Sequence, residues 1–207
     1  MGLIDRCVAA IALAALSPVM LLIGAVVRVT SRGPVVYTQI RVGQEGRPFR
    51  IYKFRTMVDG ADRASANVSP ANDPRVTRVG RLLRASYLDE LPQLVNIVKG
   101  DMSLVGPRPE TPEYVALYDA SERRVLDVKP GLVGASTLEF MDEAERLAAA
   151  RDPEAYYRDV LLHERVRLDL AHLDDRSPLA DLRLLLRQAS AILRRHEGDV
   201  VPQPANR

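Results

Sequence analysis

Residues 7–27 form an almost uninterrupted apolar run, and this run constrains the fold more than any other feature of the sequence. Ser17 is its only strongly polar member, and Arg6 and Arg28 flank it. A helix of this length extends about 30 Å, which matches the hydrocarbon core of a bilayer. The apolar core of a secretory signal is usually shorter. The run therefore predicts a membrane-associated helix rather than a signal peptide.

Ser17 and Pro18 lie at the midpoint of this run and leave two membrane arrangements open. Proline removes a backbone donor and bends a helix, and a serine hydroxyl can bond to the backbone group that is freed. A bent helix could enter the bilayer and leave through the same face, and cations at both ends would suit a return to the cytoplasmic side. A single spanning helix that tolerates its proline is the alternative.

The net charge of the chain conceals an asymmetry. The whole sequence has 29 Lys and Arg against 27 Asp and Glu, a net charge of +2. Residues 28–108 hold 14 basic and 7 acidic side chains, whereas residues 109–207 hold 14 and 19. The first stretch should therefore attract anions such as phosphates, nucleic acid or lipid headgroups. The single cysteine excludes a disulfide framework and a cysteine-rich zinc site.

Residues 35–57 have the pattern of a β-hairpin. Residues 35–42 and 49–57 alternate between apolar and polar side chains, and a turn with two glycines separates them. Lys53 and Arg55 then share a strand face with Ile51, although a solvated strand edge is the ordinary place for such charges. Residues 59–75 are polar and contain prolines, so they are predicted to form a mobile loop.

Arg78, Arg81 and Arg84 follow at the spacing that places three guanidinium groups on one face of a short helix. Guanidinium groups bind phosphate oxygens in pairs, so this face could recognise a phosphorylated ligand. An exposed basic face beside a membrane surface is the competing interpretation.

Asp89 and Glu90 stand immediately before Leu91-Pro92, which favours a helix that begins near Asp89. Lys99 followed by Gly100 predicts where that helix ends. A carboxylate beside the first amides of a helix stays ionised. An ordinary capping aspartate followed by a first-turn glutamate explains the same pattern.

Arg108 lies between Pro107 and Pro109, which fix the backbone around it. A preset guanidinium suits a phosphate or the edge of a nucleobase. The alternative is a structural turn in which Arg108 pairs with Asp101 or Glu110.

Two helices are predicted in the last third of the chain. One begins at residues 152–154 and runs to about His172, and the other runs from Ser177-Pro178 to about Gly198. The second helix has an apolar stripe that we expect to face the core, with an in-plane membrane helix as the alternative. That stripe consists of Leu182, Leu185, Leu186, Ala189, Ile192 and Leu193.

Taken together, these motifs resemble the bacterial sugar transferases, that is, the small monotopic polyprenyl-phosphate phosphoglycosyl transferases. The resemblance extends from about residue 3 to residue 195 and is most specific over residues 73–109. The segments that carry it are Ser17-Pro18, residues 53–57, residues 78–103 and residues 105–109.

The resemblance implies an enzyme that moves a sugar-1-phosphate from a UDP-sugar to polyprenyl (undecaprenyl) phosphate and releases UMP by a ping-pong mechanism. It implies that Asp89 is the nucleophile, that Glu90 binds Mg²⁺, and that Ser17 and Pro18 set the bend of a re-entrant helix. The phosphate- and uridine-binding positions that it implies are Lys53, Arg55, Arg84, Pro107, Arg108 and Pro109.

The fold expected on this basis is α+β and mostly helical, with a compact catalytic domain and a β-hairpin on an N-terminal re-entrant membrane helix-hairpin. Residues 1–30 would form the anchor, residues 31–198 the cytosolic catalytic domain, and residues 199–207 a disordered tail. The expected location is the cytoplasmic face of the bacterial inner membrane, where the partners are the UDP-sugar, polyprenyl phosphate and membrane lipid, without nucleic acid. Monomer and homodimer both stay open.

Residues 132–140 depart from the pattern of many members of the family, which leaves the identity of the sugar open. A membrane-attached binding protein for polyanions is the rival hypothesis, because the basic stretch alone would permit it. The carboxylates of Asp89 and Glu90 in the middle of that stretch argue against this rival.

Overall fold

The computed structural model describes residues 2–61 and 68–198, with the backbone alone for residues 195–198. The predicted tail and residues 62–67 of the predicted loop lie outside this part of the chain. The strands are β1 (Val36–Val42), β2 (Pro48–Phe54), β3 (Ser103–Val105) and β4 (Gly131–Val133). The helices are α1 (Gly2–Thr30), α2 (Arg78–Ala85), α3 (Gln93–Lys99), α4 (Pro112–Val115), α5 (Ala135–Glu139), α6 (Glu143–Ala149), α7 (Pro153–Tyr156), α8 (Leu162–Asp174) and α9 (Pro178–Gly198).

Helix α1 contains the apolar run, and it continues through Pro18 as one helix. Within the described residues it is the one helix that is long and apolar enough to cross a membrane. Proline 18 cannot donate to the carbonyl of Ala14, and the hydroxyl of Ser17 donates to that oxygen instead, at 2.8 Å. The prediction that the serine hydroxyl bonds to the backbone group freed by the proline is confirmed. The structure has no break between two half-helices, so the re-entrant hairpin stays a prediction.

One face of α1 packs against the rest of the protein from end to end. Its buried and half-buried positions recur every three or four residues, which is the repeat of a helix stripe. The stripe runs through Ala9, Leu13, Leu16, Met20, Ile23 and Val27. At the N-terminal end the guanidinium of Arg6 donates to the carbonyls of Val98 and Lys99, at 2.8 and 2.9 Å. Many of the other apolar side chains of α1 are exposed.

The predicted hairpin is confirmed. Strands β1 and β2 pair antiparallel, with Tyr37 opposite Lys53 and Gln39 opposite Ile51. Asn96 of α3 holds this hairpin to the helix, because its amide bonds to the backbone of Arg50 and Tyr52 at 2.8 and 3.1 Å. The C-terminal end of α3 also agrees with the sequence, since Gly100 caps it in the left-handed conformation.

Strands β3 and β4 form a second pair, which is parallel. The two backbone segments approach each other closely at glycines. A Cβ on Gly106 would lie 2.6 Å from the carbonyl oxygen of Lys129, and one on Gly131 would lie 2.1 Å from the amide nitrogen of Gly106. Helices α1 and α9 both contact β3. The larger apolar core lies on the side of α8, where Leu161 and Leu162 are fully buried.

The two C-terminal helices begin and end close to their predicted positions. Asp152 caps α7 through the amide of Ala155 at 3.0 Å, and a π-helical turn (Tyr157–Leu161) joins α7 to α8. The prediction that the apolar stripe of α9 faces the core is wrong for most of its members. Leu182, Leu186 and Leu193 are exposed, because the buried face of α9 is formed by Asp181, Leu184 and Gln188.

Candidate active site

Asp89 and Glu90 lie in a short 3-10 turn (Leu88–Glu90) between α2 and α3, and both are buried. The helix predicted to begin near Asp89 starts with this 3-10 turn, and its α-helical part, α3, begins at Gln93 after Pro92. Tyr87 precedes the turn with a φ of 57° in the left-handed region, which redirects the chain at the end of α2. The two carboxylates therefore stand on a tight 3-10 turn that leads into α3.

Glu90 forms ion pairs with two basic side chains that come from distant parts of the chain. The ammonium of Lys53 on β2 lies 2.6 Å from Oε1 of Glu90, and the guanidinium of Arg108 lies 3.5 Å from the same oxygen. This places Lys53 and Arg108 beside the Asp89–Glu90 turn, as the predicted site requires. Arg108 therefore pairs with Glu90. The partners considered from the sequence for a structural turn were Asp101 and Glu110.

These cations keep Glu90 ionised although it is buried. Burial by itself would raise the pKa of Glu90, but the charges of Lys53 and Arg108 outweigh burial and hold the pKa at about 2. Burial lowers the pKa of Lys53, and the carboxylate of Glu90 opposes that change. Glu90 is thus a permanent anion at neutral pH.

Asp89 has the opposite behaviour, although it is the next residue. Burial raises the pKa of Asp89 to about 6, while the charge of Lys53 acts in the other direction and the charge of Glu90 reinforces the rise. The carboxyl group of Asp89 can therefore be ionised at neutral pH at a small cost, and it is only weakly solvated. A desolvated carboxylate between cations is suited to attack an electrophile.

Arg84 is directed toward this region by two hydroxyl groups. Its Nε donates to Oγ1 of Thr56 at 2.9 Å, and its terminal nitrogen donates to Oγ of Ser69 at 2.6 Å. Arg78 and Arg81 of the same helix are exposed instead. Of the predicted arginine face, the structure therefore brings only Arg84 close enough for its charge to act on Asp89.

The loop that carries Arg108 is fastened on several sides. The amide of Gly131 donates to the carbonyl of Pro107 at 2.9 Å, and the guanidinium of Arg41 donates to the carbonyl of Pro109 at 3.1 Å. Pro107 and Pro109 have no N–H group, so Arg108 supplies the one backbone donor of this tripeptide. That donor binds Oδ2 of Asp169 at 3.1 Å.

Asp169 is a residue that sequence reasoning missed. Its carboxylate is buried and accepts three hydrogen bonds, from the amide of Arg108 and from the amide and hydroxyl of Ser136, the last two at 2.9 and 2.8 Å. It thereby joins the Arg108 loop to α5, which belongs to the divergent stretch 132–140. The signal in the sequence was an aspartate between Leu168 and Leu170, one helical turn after Val166.

Arg55 lies outside the cluster formed by Asp89, Glu90, Lys53 and Arg108. It is buried, and its guanidinium binds residues that follow the C-terminal end of α1. One nitrogen donates to the carbonyl and hydroxyl oxygens of Ser31, at 2.8 and 2.7 Å, and another donates to the carbonyl of Pro34. In this structure Arg55 joins the hairpin to α1.

The chemistry of the donors at this site fits a hard divalent cation. Within the described residues no cluster of three or more His, Cys, Asp or Glu side chains is present. Magnesium commonly uses one or two carboxylates together with phosphate oxygens and water, so a larger cluster is not needed. The side chains of Lys53 and Arg108 both contact Oε1 of Glu90. Oε2 of Glu90, together with the carboxylate of Asp89, could serve as a ligand of the metal ion.

Comparison with known proteins identifies the family of the chain. The family model described as bacterial sugar transferase matches residues 2–195. The chain is 46% identical over 132 residues to the uncharacterized sugar transferase EpsL of Bacillus subtilis, a match that covers 64% of each protein. It is 38% identical over 205 residues to the UDP-glucose:undecaprenyl-phosphate glucose-1-phosphate transferase of Caulobacter vibrioides, covering 92% of this chain and 68% of that protein.

The name of a third relative contains a sugar other than the glucose of the Caulobacter protein. It is the UDP-N-acetylgalactosamine-undecaprenyl-phosphate N-acetylgalactosaminephosphotransferase of Aeromonas hydrophila, 43% identical over 135 residues that cover 63% of this chain and 31% of that protein. The chain thus spans about two thirds of the first two relatives and less than a third of this one. Because the family model covers nearly the whole chain, the protein belongs to the bacterial sugar transferase family.

Proposed function

We propose that the protein transfers a sugar-1-phosphate from a UDP-sugar to polyprenyl phosphate, releases UMP, and so begins the assembly of a lipid-linked glycan. The names of the Caulobacter and Aeromonas relatives support this reaction class. The observation that carries the proposal is the buried pair of Asp89 and Glu90 with Lys53 and Arg108 around it. A carboxylate of perturbed pKa beside several cations suits chemistry on a phosphate group.

In the first half-reaction, a carboxylate oxygen of Asp89 attacks the phosphorus atom next to the sugar. A new P–O bond forms to Asp89, the bond from this phosphorus to the oxygen of UMP breaks, and UMP leaves with the electron pair of that bond. Lys53, Arg84 and Arg108 would balance the negative charge of the diphosphate, which would otherwise repel the carboxylate of Asp89.

In the second half-reaction, an oxygen of polyprenyl phosphate attacks the phosphorus that is bound to Asp89. The P–O bond to Asp89 breaks, so the free carboxylate is restored and the product is a polyprenyl diphosphate sugar. A covalent intermediate of this kind predicts ping-pong kinetics.

Glu90 would hold Mg²⁺ together with phosphate oxygens of the substrate. Bound Mg²⁺ would supply positive charge to the diphosphate and to the departing UMP. The low pKa of Glu90 keeps this residue available as an anionic ligand over the physiological pH range.

We also propose that α1 begins and ends at the same, cytoplasmic face of the inner membrane. Contacts at both of its ends support this topology, because Arg6 binds the end of α3 and the oxygens of Ser31 bind Arg55. A helix that crossed the bilayer would separate its ends by about 30 Å of hydrocarbon. One cytosolic domain could not hold both ends across that distance without entering the lipid.

The test of the reaction is the mass of the intact protein after incubation with Mg²⁺ and a panel of UDP-sugars, without a lipid acceptor. We expect release of UMP and a gain of one sugar-phosphate mass, and we expect neither with Asp89→Asn. Asp101→Asn is the matched control, since Asp101 is a half-buried aspartate that pairs with Lys99 rather than with the site.

An adduct that persists in Asp89→Asn would exclude Asp89 as the nucleophile. If no UDP-sugar yields UMP even when polyprenyl phosphate is added, the enzyme proposal fails and the polyanion-binding hypothesis takes its place. Salt-sensitive binding to anionic vesicles that does not depend on UDP-sugar would be its signature.

The topology of α1 is tested with single cysteines at positions 2 and 30 in a Cys7→Ser background. Labelling of both positions from the same side of sealed vesicles is the expected result. Labelling from opposite sides would show that α1 spans the membrane.

A further inference from the structure

Asp73 is a buried aspartate that the proposed mechanism does not use. Its carboxylate accepts from the amide of Arg75 at 2.9 Å, from Nε of the same arginine at 3.0 Å, and from the hydroxyl of Ser69 at 2.9 Å. Hydrogen bonds from the side chain of Arg75 hold the pKa of Asp73 at about 2, although burial opposes them. Asp73 is therefore an anion at neutral pH, and the hydroxyl of Ser69 is bonded to it.

Ser69 connects this anion to Arg84. A hydroxyl group has one proton and two lone pairs, so it can donate and accept at the same time. Ser69 donates its proton to Oδ2 of Asp73, and its oxygen accepts from Nη1 of Arg84 at 2.6 Å. Donation to a carboxylate makes the hydroxyl oxygen a better acceptor, because successive hydrogen bonds polarise one another. Asp73, Ser69 and Arg84 thus form a chain of hydrogen bonds that ends on the guanidinium.

The segment that contains Ser69 is closed by bonds that do not involve its hydroxyl group. The amide of Val58 donates to the backbone carbonyl of Arg75 at 2.9 Å. The guanidinium of Arg75 donates to the carbonyl of Val68 at 3.0 Å. Removal of the Ser69 hydroxyl should therefore loosen Arg84 without opening the segment.

Arg84 lies within reach of two carboxylates, those of Asp73 and Asp89. Burial lowers the pKa of Arg84, and the charges of Asp89 and Asp73 oppose that change. Its Nε is bonded to Thr56 and its Nη1 to Ser69, and these two bonds together fix the plane of the guanidinium. Among the described residues, Nη2 has no hydrogen-bond partner. This nitrogen can therefore donate to a phosphate oxygen of a ligand.

We propose that Ser69 and Asp73 are positioning residues that act through Arg84 and direct its guanidinium toward the phosphates of the UDP-sugar. This proposal rests on the function proposed above. Without the Ser69 hydroxyl, Arg84 keeps its charge, so attraction of the substrate should change little. The preorganised position of its donors in the transition state should be lost, which lowers kcat rather than raising KM.

The test measures kcat and KM for release of UMP with a UDP-sugar and polyprenyl phosphate. We expect Ser69→Ala to lower kcat about tenfold, the order of effect for a lost hydrogen bond to a charged group. Asp73→Asn should lower kcat as well. In the Ser69→Ala background it should cause no further loss, because Asp73 acts through Ser69. Ser69→Thr keeps the hydroxyl group and should restore kcat.

Ser121→Ala is the matched control, because the hydroxyl of Ser121 also donates to an aspartate, Asp119, at 2.7 Å, without contact to an arginine. It should leave kcat unchanged, and an equal loss there would overturn the proposal. Losses that add fully in the double variant of Ser69 and Asp73 would also overturn it, since Asp73 would then act independently of Ser69. Thermal unfolding of each variant verifies that the fold is intact.

A second measurement does not need turnover. In NMR spectra of the full-length protein with isotope-labelled arginine, the two terminal nitrogens of Arg84 should give separate signals, because the bond to Ser69 hinders rotation about the Cζ–Nε bond. Arg84→Lys identifies these signals. They should merge in Ser69→Ala, and unchanged signals would overturn the proposal. If the wild type releases no UMP while the signals merge as expected, the proposed function fails and the positioning of Arg84 by Ser69 stands.

Discussion

The ammonium of Lys53 and the carboxylate of Glu90 lie 2.6 Å apart, and this ion pair joins the β-hairpin to the turn that carries Asp89. The two residues are 37 positions apart in the sequence. Their side chains are only 18% and 10% exposed, so water screens the pair weakly. The pair therefore fixes the distance between β2 and Asp89, and it holds an anion and a cation beside the proposed nucleophile.

Lys53→Met should destabilise the protein although the new side chain is apolar. Removing one partner leaves Glu90 buried with only the more distant Arg108, and breaking such a pair commonly costs about 3 kcal/mol. The double variant Lys53→Met with Glu90→Gln should recover part of this loss, because no buried charge is then left unpaired. Denaturant unfolding of the four proteins in detergent measures the coupling. Additive losses would show that the two side chains do not stabilise one another.

The activity should depend on the ionisation of Asp89. The pKa of its carboxyl group is raised to about 6, chiefly by burial, and the anionic form is the one that attacks. In the proposed mechanism, kcat/KM therefore rises as the pH increases through about 6 and is lost below it. The charge of Lys53 favours the anion of Asp89. Lys53→Met should therefore move the rise of kcat/KM to higher pH. A pH profile of kcat/KM for both proteins checks the direction, and an unchanged limb in the variant would contradict it.

Asp169→Asn should weaken substrate binding. The effect on KM should be larger than that of a substitution that only destabilises the fold. The carboxylate accepts from three donors, and an amide in either orientation would turn its own N–H toward one of them. An unsatisfied buried donor costs about 1–3 kcal/mol. Displacement of the Arg108 loop should then raise KM for the UDP-sugar.

Glu122→Gln is the control for this prediction. Glu122 is a buried carboxylate that accepts the amide of Asp119 at 2.9 Å and pairs with His163, with no contact to the Arg108 loop. It should lose stability without the change in KM. An equal rise of KM in both variants would mean that Asp169 has only a structural role.

Gly80→Ala should disrupt the support of Arg84. A Cβ at this position would lie 2.0 Å from the carbonyl oxygen of Thr56, whose hydroxyl group also holds Arg84. Because a backbone atom cannot give way as a flexible side chain does, we expect a loss of about 1–3 kcal/mol, in the range found for overpacked sites. Thermal unfolding measures it. Gly2→Ala is the control, since its Cβ would meet only the end of Lys129 at 3.9 Å, and an equally large loss there would argue against the steric explanation.

Several elements could be predicted from the sequence because they depend on neighbours along the chain. The β-hairpin, the end of α3 at Gly100 and the limits of α9 follow from side-chain periods and caps, which act over three or four residues. The bond from Ser17 to the carbonyl that Pro18 cannot reach is equally local. The resemblance to the sugar transferase family also needed only the sequence, and the family model confirms it.

The tertiary structure alone decided how these elements meet. The contact of Asp169 with Arg108 joins residues 61 positions apart, so no local pattern could indicate it. Helix α9 has apolar side chains over a wide arc, and its packing partners determine that Leu184 is buried while Leu186 is exposed. Likewise, Arg84 and Arg81 are equivalent in sequence spacing, but only Arg84 reaches Thr56 and Ser69. Periodicity fixes which residues share a face, whereas the faces that are covered depend on contacts between distant segments.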